Sequence, residues 1–135
     1  MDYELYQNTN QTNSCCGRWF ARAMHVPMSF RELCHHVASH SRIIDESTVV
    51  AVMTALEADV RGLLLEGRSV QLGELGSLSL TLESAGVEQP SDFRPERDVK
   101  SVRLRIYPGR VLQTARLRME IALRKRGRNT SERHP

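Results

Sequence analysis

The chain has 135 residues, 40% of them apolar and 5% aromatic, and its 19 Lys and Arg against 16 Asp and Glu give a net charge of +3. That length can bury one aliphatic core. No apolar stretch approaches the roughly 18 residues of a membrane span, and no basic start runs into an apolar segment as in a leader peptide, so a soluble, unexported, cytoplasmic protein is expected. Three cysteines, Cys15, Cys16 and Cys34, are odd in number with two adjacent; they argue against a disulfide framework and read as reduced thiols.

Residues 1–28 form either a β extension or a loose tail. Tyr3 and Leu5 alternate with acids, and Trp19 to Val26 carries β-favouring residues after a polar, turn-like stretch. The first helix begins at Ser29, where Ser-Phe-Arg-Glu makes a capping box with Glu32, and Phe30, Leu33, Cys34, Val37 and Ala38 make one helical stripe ending near His40. A second helix starts at Asp45 or Ser47 and runs to Glu66, with Val49, Val52, Met53, Leu56, Val60, Leu63 and Leu64 at helical spacing and Gly67 as its C-terminal cap. Val50 and Leu65 widen its apolar arc, which suits a self-associated dimer.

Val70 to Leu72 and Leu78 to Leu82 alternate as two short strands around a turn at Gly73-Glu-Leu-Gly76. A long connection over residues 84–98, with Gly86, Pro90 and Pro95, leads to a third strand over 100–107. Pro108-Gly109 breaks that strand, and the spacing predicts a third helix from Arg110 to about Lys125, followed by a fraying tail.

Charge is distributed unevenly along this order. From Val99 onward there are eleven Lys and Arg and two acids, a net of +9, which leaves −6 for residues 1–98 and sums to +3. Within the basic part, Val102, Leu104 and Ile106 alternate with Arg103, Arg105 and Tyr107, so a strand here buries one face and offers two guanidiniums on the other. Arg keeps its charge and pairs bidentately with phosphate, which suits a polyanion; the plainer reading is a charged surface that prevents edge pairing.

Several strings resemble the bacterial histone-like HU and integration host factor family, specifically a lengthened HU-like branch with an N-terminal β extension. Leu65-Glu-Gly-Arg-Ser-Val-Gln-Leu-Gly-Glu-Leu-Gly-Ser-Leu78 resembles that family's helix end, strand and Gly-Phe-Gly-Thr-Phe turn, with Gly73 and Gly76 matching and Leu75 and Leu78 in the aromatic places. Arg105-Ile-Tyr-Pro-Gly-Arg110, followed by Leu112, resembles its Phe-Lys-Pro-Gly-Lys lead-in to the last helix, and Trp19-Phe-Ala-Arg-Ala23 resembles the extended branch. The likeness covers about Phe30 to Leu123. It implies an α+β, HU-like fold of two N-terminal helices, a three-stranded antiparallel sheet with a β-arm, and a C-terminal helix. It also implies an intertwined homodimer whose sheets form a saddle, with arms that embrace the DNA minor groove and bend the duplex by a proline wedge. Here the sequence departs from the family. The Arg-Asn-Pro that the family carries at its arm tip is absent, and between Ser84 and Asp98 the acids Glu88, Asp92, Glu96 and Asp98 outnumber Arg94 and Arg97. The arm candidates are therefore Pro90, Arg94, Pro95 and Arg97, in a segment whose charge opposes the groove.

The expected phosphate contacts are Arg103 and Arg105 on the strand and Arg110 at the start of the last helix, where backbone N–H groups and a guanidinium would converge on one phosphate. Lys100 extends the basic stripe, although its parity matches Val102. Arg124, Lys125, Arg126 and Arg128 add diffuse attraction, or serve only to complement the helix dipole.

Cys34, His36 and His40 match no common zinc spacing, and Cys34 falls on the buried stripe, so neither metal nor cofactor is expected. Gly73-Glu-Leu-Gly76 lacks the residues of a nucleotide loop and is read as a turn. No nucleophile is set beside a positioned His, which argues against an enzyme and against a small-molecule substrate. The sequence therefore predicts a β extension or tail over 1–28, an HU-like DNA-binding domain over 29–126 and a basic tail over 127–135. The function expected is nucleoid-associated, histone-like binding and condensation of double-stranded DNA by a homodimer, without strong sequence preference. The alternative is an HU-fold protein-interaction module that has lost DNA affinity.

Overall fold

The computed structural model describes residues 1–126, so the expected tail at 127–135, with Arg128, lies outside the described residues. The chain divides into two compact units, one made of Met1–Met28 with the chain from Arg118, the other of Ser29–Leu117.

The larger unit begins with α1, Phe30–Ser39, and its capping box forms as the sequence predicts. The Ser29 hydroxyl accepts from the Glu32 N–H at 3.2 Å, and the Glu32 carboxylate accepts from the Ser29 N–H at 2.6 Å. Helix α2, Glu46–Leu65, is capped by Asp45, whose carboxylate accepts from the Thr48 N–H at 2.7 Å. It stops at Gly67, where φ is +85°: Gly67 N–H donates to Leu64 O and Arg68 N–H to Leu63 O, a Schellman ending that favours glycine at the left-handed position. The two helices enclose Cys34, which is fully buried, and Val49.

Strands β3, Val70–Gln71, β4, Gly76–Ser84, and β5, Val99–Pro108, form an antiparallel sheet in that order. The turn between β3 and β4 is a 3-10 turn over Gly73–Leu75. Two glycines lock it to the end of β5. A side chain on Gly109 would place its Cβ 2.0 Å from Glu74 O, one on Gly76 would meet Tyr107 O at 2.1 Å, and Gly109 N–H donates to Leu75 O at 2.9 Å.

The connection between β4 and β5 does not continue as an extended β-ribbon. It folds back through a 3-10 turn at Pro90–Asp92 and a one-turn helix α3, Pro95–Asp98, each with a proline in its first turn. Asp98 organises it, with a side chain only 7% exposed that accepts from the Arg94 N–H at 2.7 Å and from Arg97 Nε at 2.8 Å. Ala85 N–H donates to Asp98 O at 2.8 Å, which closes the segment at its base. The expected β-arm is therefore a compact cap, because a buried carboxylate gathers the segment's own N–H and guanidinium groups.

The predicted helix from Arg110 to Lys125 is also corrected. Arg110–Leu112 is a 3-10 turn, Gln113 is extended, and the helix α4 covers only Thr114–Glu120. Beyond it, Arg124–Lys125 forms β6 in the smaller unit, whose sheet has the order β2, β1, β6. Here β1, Asp2–Gln7, pairs antiparallel with β2, Trp19–Ala23, and parallel with β6. The backbone donates from Arg124 N to Met1 O and from Arg126 N to Tyr3 O, long-range bonds that replace the last turns of the expected helix. Within residues 1–28, Asp2–Gln7 and Trp19–Ala23 are the parts that pair as strands.

Candidate nucleic-acid interface

Register fixes what each face of the β4–β5 hairpin presents. Leu78, Leu80 and Leu82 lie opposite Ile106, Leu104 and Val102, while Ser77, Ser79, Thr81 and Glu83 lie opposite Tyr107, Arg105, Arg103 and Ser101. Directly opposed residues share a face, so one face is aliphatic and the other carries hydroxyls, Tyr107 and two guanidiniums. The alternation read from 102–107 is thus realised, and the small Ser and Thr partners leave the Arg side chains unshielded.

The two Arg residues are not equivalent. Arg103 Nη2 pairs with Glu83 Oε2 at 2.7 Å, both side chains being more than half exposed, and Glu83 also accepts from Ser101 Oγ at 3.0 Å. Arg105 is exposed and has no acidic partner among the described residues. Lys100 falls at the irregularity where Ser84 pairs with Val99 and Glu83 with Ser101, so it is an exposed, unpaired position rather than a further member of the stripe.

Arg110 lies where the polar face ends in an open cleft of about 980 Å³, which it lines with Gln71, Glu74, Ser77, Tyr107 and Gln113. It does not start the expected helix: Arg110–Leu112 is a 3-10 turn and α4 begins only at Thr114, so the expected convergence of helix N–H groups with Arg110 is not formed.

At the opposite end of the hairpin, Arg97 is committed to Asp98 and to Asp92 O, at 2.8 Å each, and Arg94 Nη1 donates to Ser91 O at 3.3 Å. The Arg97 guanidinium and then the Arg94 N–H hold the Asp98 carboxyl below the ordinary carboxylate range. Pro90 and Pro95 are the first residues of short helical turns within this cap. In the smaller unit, Arg124 and Arg126 both pair with Asp2, at 3.1 and 2.9 Å, and Lys125 is the register partner of Tyr3. The basic cluster of residues 124–126 therefore belongs to a different sheet from Arg103 and Arg105. Asp98 and the Asp2 clamp were missed in the sequence. The Pro-Glu-Arg-Asp string, a helix-start pattern, was the available signal for the first, and the second had none.

The family described as "HU domain fused to wHTH, Ig, or Glycine-rich motif" matches residues 1–122. The chain belongs to the HU-HIG family. The match to that family thus covers the N-terminal hairpin as well as the helices and the larger sheet. No curated protein matches this HU-HIG chain. Among solved structures it is similar to a Bacteroides vulgatus protein provisionally named as a bacterial DNA-binding protein, with a TM-score of 0.58 and 13% identity over 92% of this chain and 47% of that one. The HU-HIG chain spans about half the length of that relative, and at such identity the likeness concerns the fold alone.

Proposed function

We propose that this chain binds double-stranded DNA without strong sequence preference, as a nucleoid-associated homodimer, through phosphate contacts from the polar face of the β4–β5 hairpin. The observation that carries the reading is that face itself: Arg105 and Arg103 stand among Ser77, Ser79, Thr81 and Tyr107, with Arg110 in the adjoining cleft. Hydroxyls and guanidiniums bind phosphate oxygens, and such contacts carry no base-edge readout of their own. The opposite face supports the dimer. Leu82, Val102, Leu104 and Ile106 are each more than half exposed, an open apolar groove of about 430 Å³ runs between α2 and the sheet, and Cys34, Val49 and Leu64 are the only buried apolar residues among those described. A second copy covering that face would supply the missing core.

If each protomer neutralises about three phosphates, log affinity falls with log salt at a slope near −5 for the dimer. Fluorescence anisotropy of a labelled duplex at several salt concentrations measures it. A slope near zero, or no binding at low salt, rejects the proposal.

The Arg103–Glu83 pair and the acids of the cap, Glu88, Asp92 and Glu96, favour a second reading, a protein-interaction module with weak or no DNA affinity. Duplex binding that survives the double substitution Arg103→Glu and Arg105→Glu would support it over the first.

A further inference from the structure

The smaller sheet has two unlike faces. On one, Tyr3, Leu5, Ala21 and Ala23 with Met1, Leu123 and part of Arg22 line a largely apolar hollow of about 490 Å³. The other carries Asp2, Glu4 and Tyr6 of β1, Phe20 and Arg22 of β2, and Arg124 and Arg126 from the β6 segment. Contacts confirm that these side chains share a face. The Tyr6 and Phe20 rings lie 6.0 Å apart at 33°, the Arg22 guanidinium sits 5.6 Å from the Tyr6 ring, and Arg22 pairs with Glu4 at 2.6 Å, as Arg124 and Arg126 pair with Asp2.

Depth decides which charge a ligand meets. The Asp2 and Glu4 side chains are each 23% exposed, whereas Arg22, Arg124 and Arg126 are 45%, 71% and 62% exposed. The acids lie beneath and the guanidiniums project outward, around a Phe20 that is 38% exposed. An apolar protein layer placed on this face would strand three guanidiniums away from water. A strand of unpaired bases would not, because bases stack on aromatic rings and on guanidinium planes while phosphates take the remaining Arg N–H groups.

We propose that this face of the β2-β1-β6 sheet binds single-stranded nucleic acid, with a base stacked on Phe20 and phosphates held by Arg124 and Arg126, the more exposed guanidiniums. The inference concerns a different sheet from the duplex reading and does not depend on it.

The test titrates the full chain into labelled oligo-dT and oligo-rU of about 12 nucleotides at low salt. Binding of either strand is expected, and the tighter one identifies the source as DNA or RNA. Phe20→Leu, which keeps the apolar bulk and removes the ring, is expected to weaken it roughly tenfold with the melting temperature unchanged. Photo-cross-linking of wild-type protein to bromouridine-substituted strands gives a readout that needs no variant, and the cross-linked peptide should contain Phe20. No binding of either strand, undiminished binding by a folded Phe20→Leu chain, or cross-links confined to β5 would each overturn the proposal.

Discussion

Arg103 and Glu83 face each other diagonally across the β4–β5 hairpin and pair at 2.7 Å, whereas Arg105, two residues along the same face, has no acidic partner among the described residues. One guanidinium of the stripe is thus held by its own sheet and the other is open to an anion. Glu83→Gln removes the competing charge, leaves a side chain of the same size and still accepts from Ser101. Duplex binding at low salt should tighten, and the salt slope should steepen by about 0.9 for each protomer that engages one more phosphate. Anisotropy at two salt concentrations measures both. An unchanged affinity and slope would mean that Arg103 does not reach DNA.

The same asymmetry ranks the charge reversals. Arg105→Glu turns an open cation into an anion on the proposed binding face, while Arg103→Glu also brings a second carboxylate beside Glu83. Both should lower duplex affinity by tenfold or more and flatten the salt slope by about 0.9 per protomer for each phosphate no longer neutralised. Only Arg103→Glu should also lower stability, by about 0.5 kcal/mol, from like charges paired across the strands. Thermal melts beside the binding series separate the two effects.

The apolar face makes its own prediction. Ile106 is 66% exposed and Leu104 53%, at the centre of a sheet face that α2 leaves partly open. Under the dimer reading, Ile106→Asp buries a carboxylate in the interface, so sedimentation should move toward the monomer mass and duplex affinity should fall with it. A chain that is monomeric before the substitution, or dimeric after it, would remove the dimer from the proposal.

What the sequence disclosed was what short-range chemistry determines. The capping box at Ser29 and Glu32, the Gly67 stop and the alternation of 102–107 are encoded within a few residues, and each is found in place. The features it hid are long-range. Nothing local near Arg124 announces that Met1 and Tyr3 will accept its neighbourhood's backbone N–H groups, so the helix expected as far as Lys125 ends at Glu120. Likewise, an acid-rich connection reads as an arm until Asp98 is seen to be buried. On the polar face of the hairpin, Arg103 and Arg105 were legible from period alone, but the Glu83 partner depends on strand register, which two separated strings do not reveal.

Register also makes the Gly76–Gly109 junction sensitive to small changes. A Cβ at Gly109 would sit 2.0 Å from a backbone oxygen, so the 3-10 turn at Gly73–Leu75 or the end of β5 must shift to admit it. Gly109→Ala should therefore cost about 3 kcal/mol. It should also disturb the Arg110 cleft, which the same turn shapes. Gly86→Ala is the matched control, since its added Cβ meets nothing within 4 Å; it should be neutral or stabilise by about 0.5 kcal/mol through the unfolded chain. Equal effects in denaturant titrations would contradict the close approach.

The cap over residues 85–98 should respond to acid in a defined direction. Hydrogen bonds from Arg97 and then from the Arg94 N–H lower the Asp98 carboxyl below its ordinary 3.8. A carboxyl depressed in the folded state contributes stability that is fully present above the unfolded value and is lost as pH falls through the lower, folded one. The cap should therefore stay closed at pH 5 and pH 7 alike and open only below about pH 3.8, the window between the two values. Asp2, Glu32 and Asp45 are lowered in the same sense by Arg124, by Ser29 and by Thr48, so acid unfolding should follow over the same range. Asp98→Asn removes the charge at every pH. Amide exchange at Arg94 should then be faster than wild type at pH 7, and the difference between the two proteins should shrink as wild-type Asp98 is protonated. An Arg94 amide that exchanges equally fast in both proteins at pH 7 would show that the carboxylate does not hold the cap.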